Sequence, residues 1–106
     1  MKLFLITRRD LSIAQQAVQA AHAMRQFKHD HPTVEQTWFE NSNTLALLEV
    51  DDEPALVKLL ERASWRDIEA SGFREPDRQN ELTAIAIGPR GKGLCRGLAP
   101  ALQQVA

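Results

Sequence analysis

Three short aliphatic runs limit what this chain can fold into. They are "KLFLIT" (Lys2 to Thr7), "NTLALLEV" (Asn43 to Val50) and "LTAIAI" (Leu82 to Ile87). Each is too short for a core helix and has the length and residue types of a buried strand. Helix-patterned sequence separates the first run from the second and part of the gap before the third. Strands joined that way cannot be consecutive hairpins; they need long crossovers, which implies a mixed sheet covered by helices.

The segments between the runs supply those helices. In "SIAQQAVQAAHAMRQF", Asp10 or Ser12 can cap a helix from about Ile13 to about Asp30, and Pro32 forbids continuation past His31. Its apolar stripe reads Ile13, Ala17, Ala20, Met24 and Phe27, widened by Val18 and Ala21. "TVEQTWFE" reads as a short helical element anchored by Trp38 and Phe39, with Thr33 and Gln36 in capping-box spacing. "DDEPALVKLLERAS" opens with acids and Pro54, both features of a helix N-terminus, and carries Leu56, Leu59, Leu60 and Ala63 on one face. "DIEASGFREPD" should hold another strand, interrupted at Gly72. The fourth strand, Leu82 to Ile87, stops at Gly88-Pro89. "RGKGLCRGLAPALQQV" reads as a loop and a short terminal helix broken at Pro100. The expectation is an α/β fold. One small domain over residues 1–106 holds a mixed four-stranded sheet flanked by helices, with the first strand central and near "LTAIAI".

Composition agrees and narrows the setting. With 106 residues, 43% apolar and 25% charged, the chain has ordinary globular values. The lone Cys95 excludes an internal disulfide framework and suits a reducing cytosol. No run resembles a signal peptide or a membrane span, so a cytoplasmic location is expected. The net charge of −1 hides an asymmetry. Residues 1–29 carry Lys2, Arg8, Arg9, Arg25 and Lys28 against Asp10, a net +4. Residues 30–81 hold five bases and thirteen acids, and residues 82–106 hold Arg90, Lys92 and Arg96 with no acid. If the termini meet, Arg8, Arg9, Arg90 and Lys92 form a basic face suited to a phosphate backbone.

The first helix carries an unusual face. Gln15, Gln19, His22 and Gln26 fall on one stripe with no charge among them. Glutamines on a helix are ordinarily solvated, and a helix histidine is ordinarily a surface or core-edge residue. An uncharged polar stripe beside alanines would also suit the wall of a site. His29, Asp30 and His31 do not make a metal site, because an i, i+2 spacing does not share a helical face.

Taken in order, three segments resemble the type II peptidyl-tRNA hydrolase family. "LFLITRRDLS" leads into "AVQAAHA", where Gln19, His22 and Ala23 match the family's "AQxxHA". "NTLALLEVDDEPALVKL" is similar to its strand running into a helix through "VDDE". "LTAIAIGP" is similar to its last strand "TxxAIGP", with Thr83 on the threonine. The resemblance spans nearly the whole chain. It implies a small mixed sheet of about four strands and hydrolysis of the ester joining a stalled peptide to its tRNA. It further implies a role in translation and ribosome rescue, tRNA as partner, and no metal or other cofactor. A homodimer stays open. Family members carry a lysine four residues before the motif glutamine, and here that position is Gln15. They also have an acid in the loop after the third strand. The nearest candidate is Asp77 in "REPDRQNEL", a shorter loop.

Ester hydrolysis needs an activated nucleophile and donors for the developing oxyanion. No serine sits in a G-x-S-x-G elbow and Cys95 has no recognisable partner, so the expected nucleophile is water. His22 is the candidate base, since histidine is the side chain that ordinarily titrates near neutrality. Asp77 would orient it or act as base itself. Gln19 would hold water or the substrate carbonyl, and Thr83 would donate from its hydroxyl. Gln15 would bind substrate without charge, with Arg8 or Arg74 supplying the missing cation. The alternative is a weakened relative that binds RNA or a partner protein without cleaving.

Overall fold

A computed structural model of the chain describes residues 1–103. In chain order the elements are β1 (Lys2–Arg8), α1 (Ile13–Asp30), α2 (Pro32–Asn41), β2 (Thr44–Val50), α3 (Glu53–Trp65), β3 (Ala70–Glu75), β4 (Glu81–Ile87), α4 (Lys92–Cys95) and β5 (Ala99–Pro100). Short 3-10 turns lie at Pro76–Arg78 and Pro89–Gly91.

The strands form one mixed sheet in the order β3-β4-β1-β2-β5. β1 is central and runs parallel to β2, with Lys2 opposite Thr44 and Arg8 opposite Val50. The crossover between them is α1 and α2. β4 pairs antiparallel with β1 on its other side, from Phe4 opposite Ile87 to Thr7 opposite Ala84. The expected central position of β1 beside "LTAIAI" is what the sheet contains. The fifth strand was not expected. Ala99 and Pro100 pair with Glu49 and Leu48 where a terminal helix was anticipated. Two residues, one of them proline, carry no periodicity to read; the rest of that anticipated helix extends past the described residues.

The period-two alternation of β1 divides the core. Leu3 and Leu5 pack with Ala20, Ala23, Phe27, Trp38, Ala84 and Ala86 beneath α1 and α2. Phe4 and Ile6 pack with Leu56, Leu59, Ala63, Ile85, Ile87 and Leu94 beneath α3 and α4. The alanines of α1 and β4 meet directly, so the helix lies close to the sheet.

The buried stripe of α1 differs from the expected one. It is Gln16, Gln19, Ala20, Ala23 and Phe27, while Ile13 and Val18 are exposed. Two amides replace aliphatics because their polar atoms are matched. Gln16 Nε2 donates to the Leu11 carbonyl at 2.9 Å and its Oε1 accepts from Leu102 N–H at 3.3 Å. A paired amide can be buried at little cost, whereas an unpaired one cannot. Ser12 caps the helix as expected, accepting from Gln15 N–H.

Two further expectations need correcting. α2 starts at Pro32, after His31, so Thr33 lies inside the helix and makes no cap. Of its two aromatic residues only Trp38 is an anchor, donating from Nε1 to the Thr44 carbonyl at 2.8 Å; Phe39 is exposed. β3 runs through Gly72 without a break. A Cβ there would lie 2.8 Å from Leu82 Cδ1, so the glycine marks close packing against β4.

Candidate active site

The register between β3 and β4 slips at one point. Phe73 pairs with Ala84, but Arg74 pairs with Leu82, so Thr83 is an extra residue on β4. This is a β-bulge, and a bulge re-aims a side chain. Strict alternation from Ile87 and Ile85 would send Thr83 toward α3. The bulge turns it toward α1 instead, on the same face as Ala84, and shifts Leu82 to the α3 side.

Side chains take up several backbone groups around the slip. The Thr83 carbonyl accepts from the Thr7 hydroxyl at 3.4 Å, and the Phe73 carbonyl lies 3.3 Å from the Thr83 hydroxyl. Leu82 N–H donates to Glu53 Oε2 at 2.7 Å, and the Leu82 carbonyl accepts from Arg8 Nη1 at 3.2 Å. The bulge is thus held from both faces of the sheet.

Thr83 opens a short hydrogen-bond relay. Its hydroxyl donates to Gln19 Oε1 at 2.7 Å, and Gln19 Nε2 donates to Gln15 Oε1 at 3.1 Å. Thr83 and Gln19 are buried, 0% and 2% exposed, and Gln15 is exposed. The relay runs from the sheet outward and ends on the Gln15 amide, whose N–H donors face solvent. Three residues beyond Gln19 on α1, His22 lies exposed and stacks on Phe73, with ring centroids 4.5 Å apart and planes 15° from parallel. The polar stripe is therefore graded in burial. Gln19 is buried, Gln15 and His22 are open, and Gln26 donates to Asp30 at 2.9 Å.

The remaining sequence candidates lie elsewhere or are otherwise engaged. Asp77 is in the exposed 76–78 turn and, among the described residues, makes no hydrogen bond to His22 or Gln19. Arg74 is exposed and donates to the Asn80 carbonyl at 3.2 Å. Arg8 is 5% exposed, and its guanidinium is taken up by Asp10 (2.9 Å to each oxygen) and by Glu81 (2.7 Å). Its hydrogen bonds to Asp10 hold that carboxyl below the usual carboxylate range, and they do the same for Glu81. Those acids and the Leu82 carbonyl occupy Arg8, so it is not the cation expected to stand in at position 15. Arg9 pairs with Asp51 and lies 3.7 Å from Glu49.

The expected basic face does not assemble. β4 runs antiparallel to β1, so Arg90 and Lys92 follow the strand end that lies beside Phe4, while Arg8 and Arg9 lie at the other end of β1. Four residues of strand between them span about 13 Å before the turns are added. Arg90 is in any case bound to Glu69 and to the Asp67 carbonyl. Cys95 is buried, and burial pushes its thiol up to about 11, so it is not a nucleophile near neutrality. Among the described residues, no three His, Cys, Asp or Glu side chains gather as metal ligands.

Sequence reasoning did not identify Phe73 or the bulge. Phe73 sits between Gly72 and Arg74 in a stretch without alternation, and a one-residue slip leaves no mark in the residue types.

The architecture is that of a small α/β domain, a five-stranded mixed sheet with helices on both faces. The sequence matches the family model Peptidyl-tRNA hydrolase PTH2 over residues 1–104, and the chain belongs to that family. Among solved structures, it resembles a protein of unknown function from Agrobacterium tumefaciens. The identity is 17% over 93% of this chain and 96% of that one, with a TM-score of 0.65, a likeness of fold. No curated protein matches it. No helix among the described residues is long and apolar enough to cross a membrane.

Proposed function

We propose that the chain hydrolyses the ester between a peptide or amino acid and its tRNA, using an activated water. The observation that carries this reading is the relay from Thr83 through Gln19 to Gln15, ending in amide donors on the same helix stripe as the open His22. Donors fixed before the substrate arrives stabilise the oxyanion without reorganising. The Gln15 N–H groups would face the ester carbonyl, and the buried Gln19 would hold the Gln15 amide in place. The Thr83 proton is engaged by Gln19, so Thr83 is a positioning residue. His22 would accept a proton from water as the water oxygen adds to the carbonyl carbon. It would return that proton to the ribose oxygen as the ester bond breaks, leaving a free acid and a tRNA 3′ hydroxyl. Asp77 would join only if substrate draws the 76–78 turn toward His22.

The family's lysine position is Gln15 here, which supplies donors without charge. That difference supports the second reading, a relative that binds acylated tRNA and cleaves it slowly or not at all. Incubation of the purified chain with peptidyl-tRNA separates the two. Release of free tRNA that disappears in His22→Ala is expected. Retention on the substrate with no release, in both forms, would establish the binding reading.

A further inference from the structure

On the opposite face of the sheet lies a cleft of about 430 Å³ between α3 and the segment after α4. Val50, Leu59, Leu94 and Leu98 form its floor, and Lys58, Arg62 and Arg96 stand around it. The three cations come from two separate parts of the chain. Lys58 and Arg62 are one turn apart on α3, and Arg96 follows α4. Among the described residues none of the three forms an ion pair, so all three charges are open to a ligand of the cleft. One acid also lines the cleft, Asp52, whose Oδ1 caps α3 by accepting from Ala55 N–H at 3.1 Å, so three cations face a single carboxylate there.

Like charges brought together repel, by a few tenths of a kcal/mol for an i, i+4 pair alone. A bound anion relieves that repulsion. We infer that this cleft is a phosphoester-binding site, in which Lys58, Arg62 and Arg96 hold the phosphate and the leucine floor takes the base or sugar attached to it. Arginine pairs with phosphate oxygens in a fixed two-donor geometry, and lysine adds a mobile point charge. The phosphoester could belong to a free nucleotide or to an RNA backbone. The inference does not depend on the hydrolase reading, because the cleft shares no residue with the relay on α1.

Titration of the isotope-labelled chain with inorganic phosphate, adenosine 5′-monophosphate and a short RNA duplex tests the site. The amides of residues 58–62 and 94–98 are expected to shift saturably, with the nucleotide tighter than phosphate because it also covers the floor. Arg62→Gln combined with Arg96→Gln should weaken nucleotide binding by roughly ten-fold or more, for the loss of two charge-assisted contacts. Lys58→Glu, which reverses one charge, should weaken it as well. Duplex binding tighter than nucleotide binding and steeply salt-dependent would identify the RNA backbone as the source. Equal or tighter nucleotide binding would identify the free nucleotide. Absence of shifts with all three probes, or shifts undiminished in the folded variants, would overturn the inference.

Discussion

Thr83 shows how much one hydroxyl can organise. It is fully buried, and its proton fixes the Gln19 carbonyl, which leaves Gln19 nitrogen to fix Gln15. Thr83→Val keeps the shape and removes the donor. A buried carbonyl left unpaired costs about 1–3 kcal/mol, so a urea melt should register that loss. Hydrolysis should fall further than stability explains, and Thr83→Ser should restore both. An activity unchanged in the valine variant would remove Thr83 from the mechanism. Gln15 invites the opposite test. Gln15→Lys adds a charge at the outer end of the relay, and removes the Oε1 that accepts from Gln19, with almost equal helix propensity. Rate constants with peptidyl-tRNA should rise by about 10- to 1,000-fold, the range for one electrostatic contact to a developing oxyanion. No rise in a variant that still binds tRNA would mean that position 15 does not face the ester.

At the level of elements, strand and helix identities were legible because each rests on local pattern. "KLFLIT" and "LTAIAI" are aliphatic and short, and Ser12 and Pro32 bracket α1 at the expected ends. What was not legible depends on contacts between distant residues. Gln16 and Gln19 are buried because Leu11, Leu102 and Thr83 satisfy them, and no window of α1 alone contains those partners. The bulge at Thr83 is a relation between two strands. Arg8 looked free for substrate because its partner Glu81 lies 73 residues away in sequence.

That partnership joins β1 to β4 and has a pH signature. Asp10 and Glu81 have their carboxyls lowered in the folded chain, chiefly by hydrogen bonds from Arg8, which stays charged throughout. The unfolded chain therefore takes up protons first as pH falls. The stabilisation is fully present above the ordinary carboxylate range and is lost as pH drops through and below it. Asp10→Asn should lower stability near neutrality and flatten its fall as pH drops through and below the ordinary carboxylate range, about pH 4. Chemical denaturation across that range checks it; an unchanged slope would mean that Asp10 carries no proton-linked share.

Over the whole molecule, 36 × 30 × 23 Å, the antiparallel pairing of β1 and β4 decides how the cations of the two termini are shared out. Arg8 and Arg9 go to one end of the sheet and Arg90 and Lys92 to the other, and three of these four already hold carboxylates. The acids of residues 30–81 outnumber the bases around them. A chain with net charge −1 whose terminal cations are split between the two ends of the sheet brings few of them to one run of phosphates. Each phosphate contact adds about 0.7 to 0.9 to the slope of log affinity against log salt. Three cations around the α3 cleft would therefore give a slope no steeper than about −3 for tRNA. Filter binding of deacylated tRNA from low to physiological salt measures it. A slope beyond about −6 would require cations from both ends of the sheet to reach the RNA together. With so shallow a dependence, the proposed hydrolase reading leaves discrimination to the acylated 3′ end and to the Gln15–His22 surface that would meet it. Peptidyl-tRNA should then bind more tightly than deacylated tRNA by a factor that salt leaves nearly unchanged.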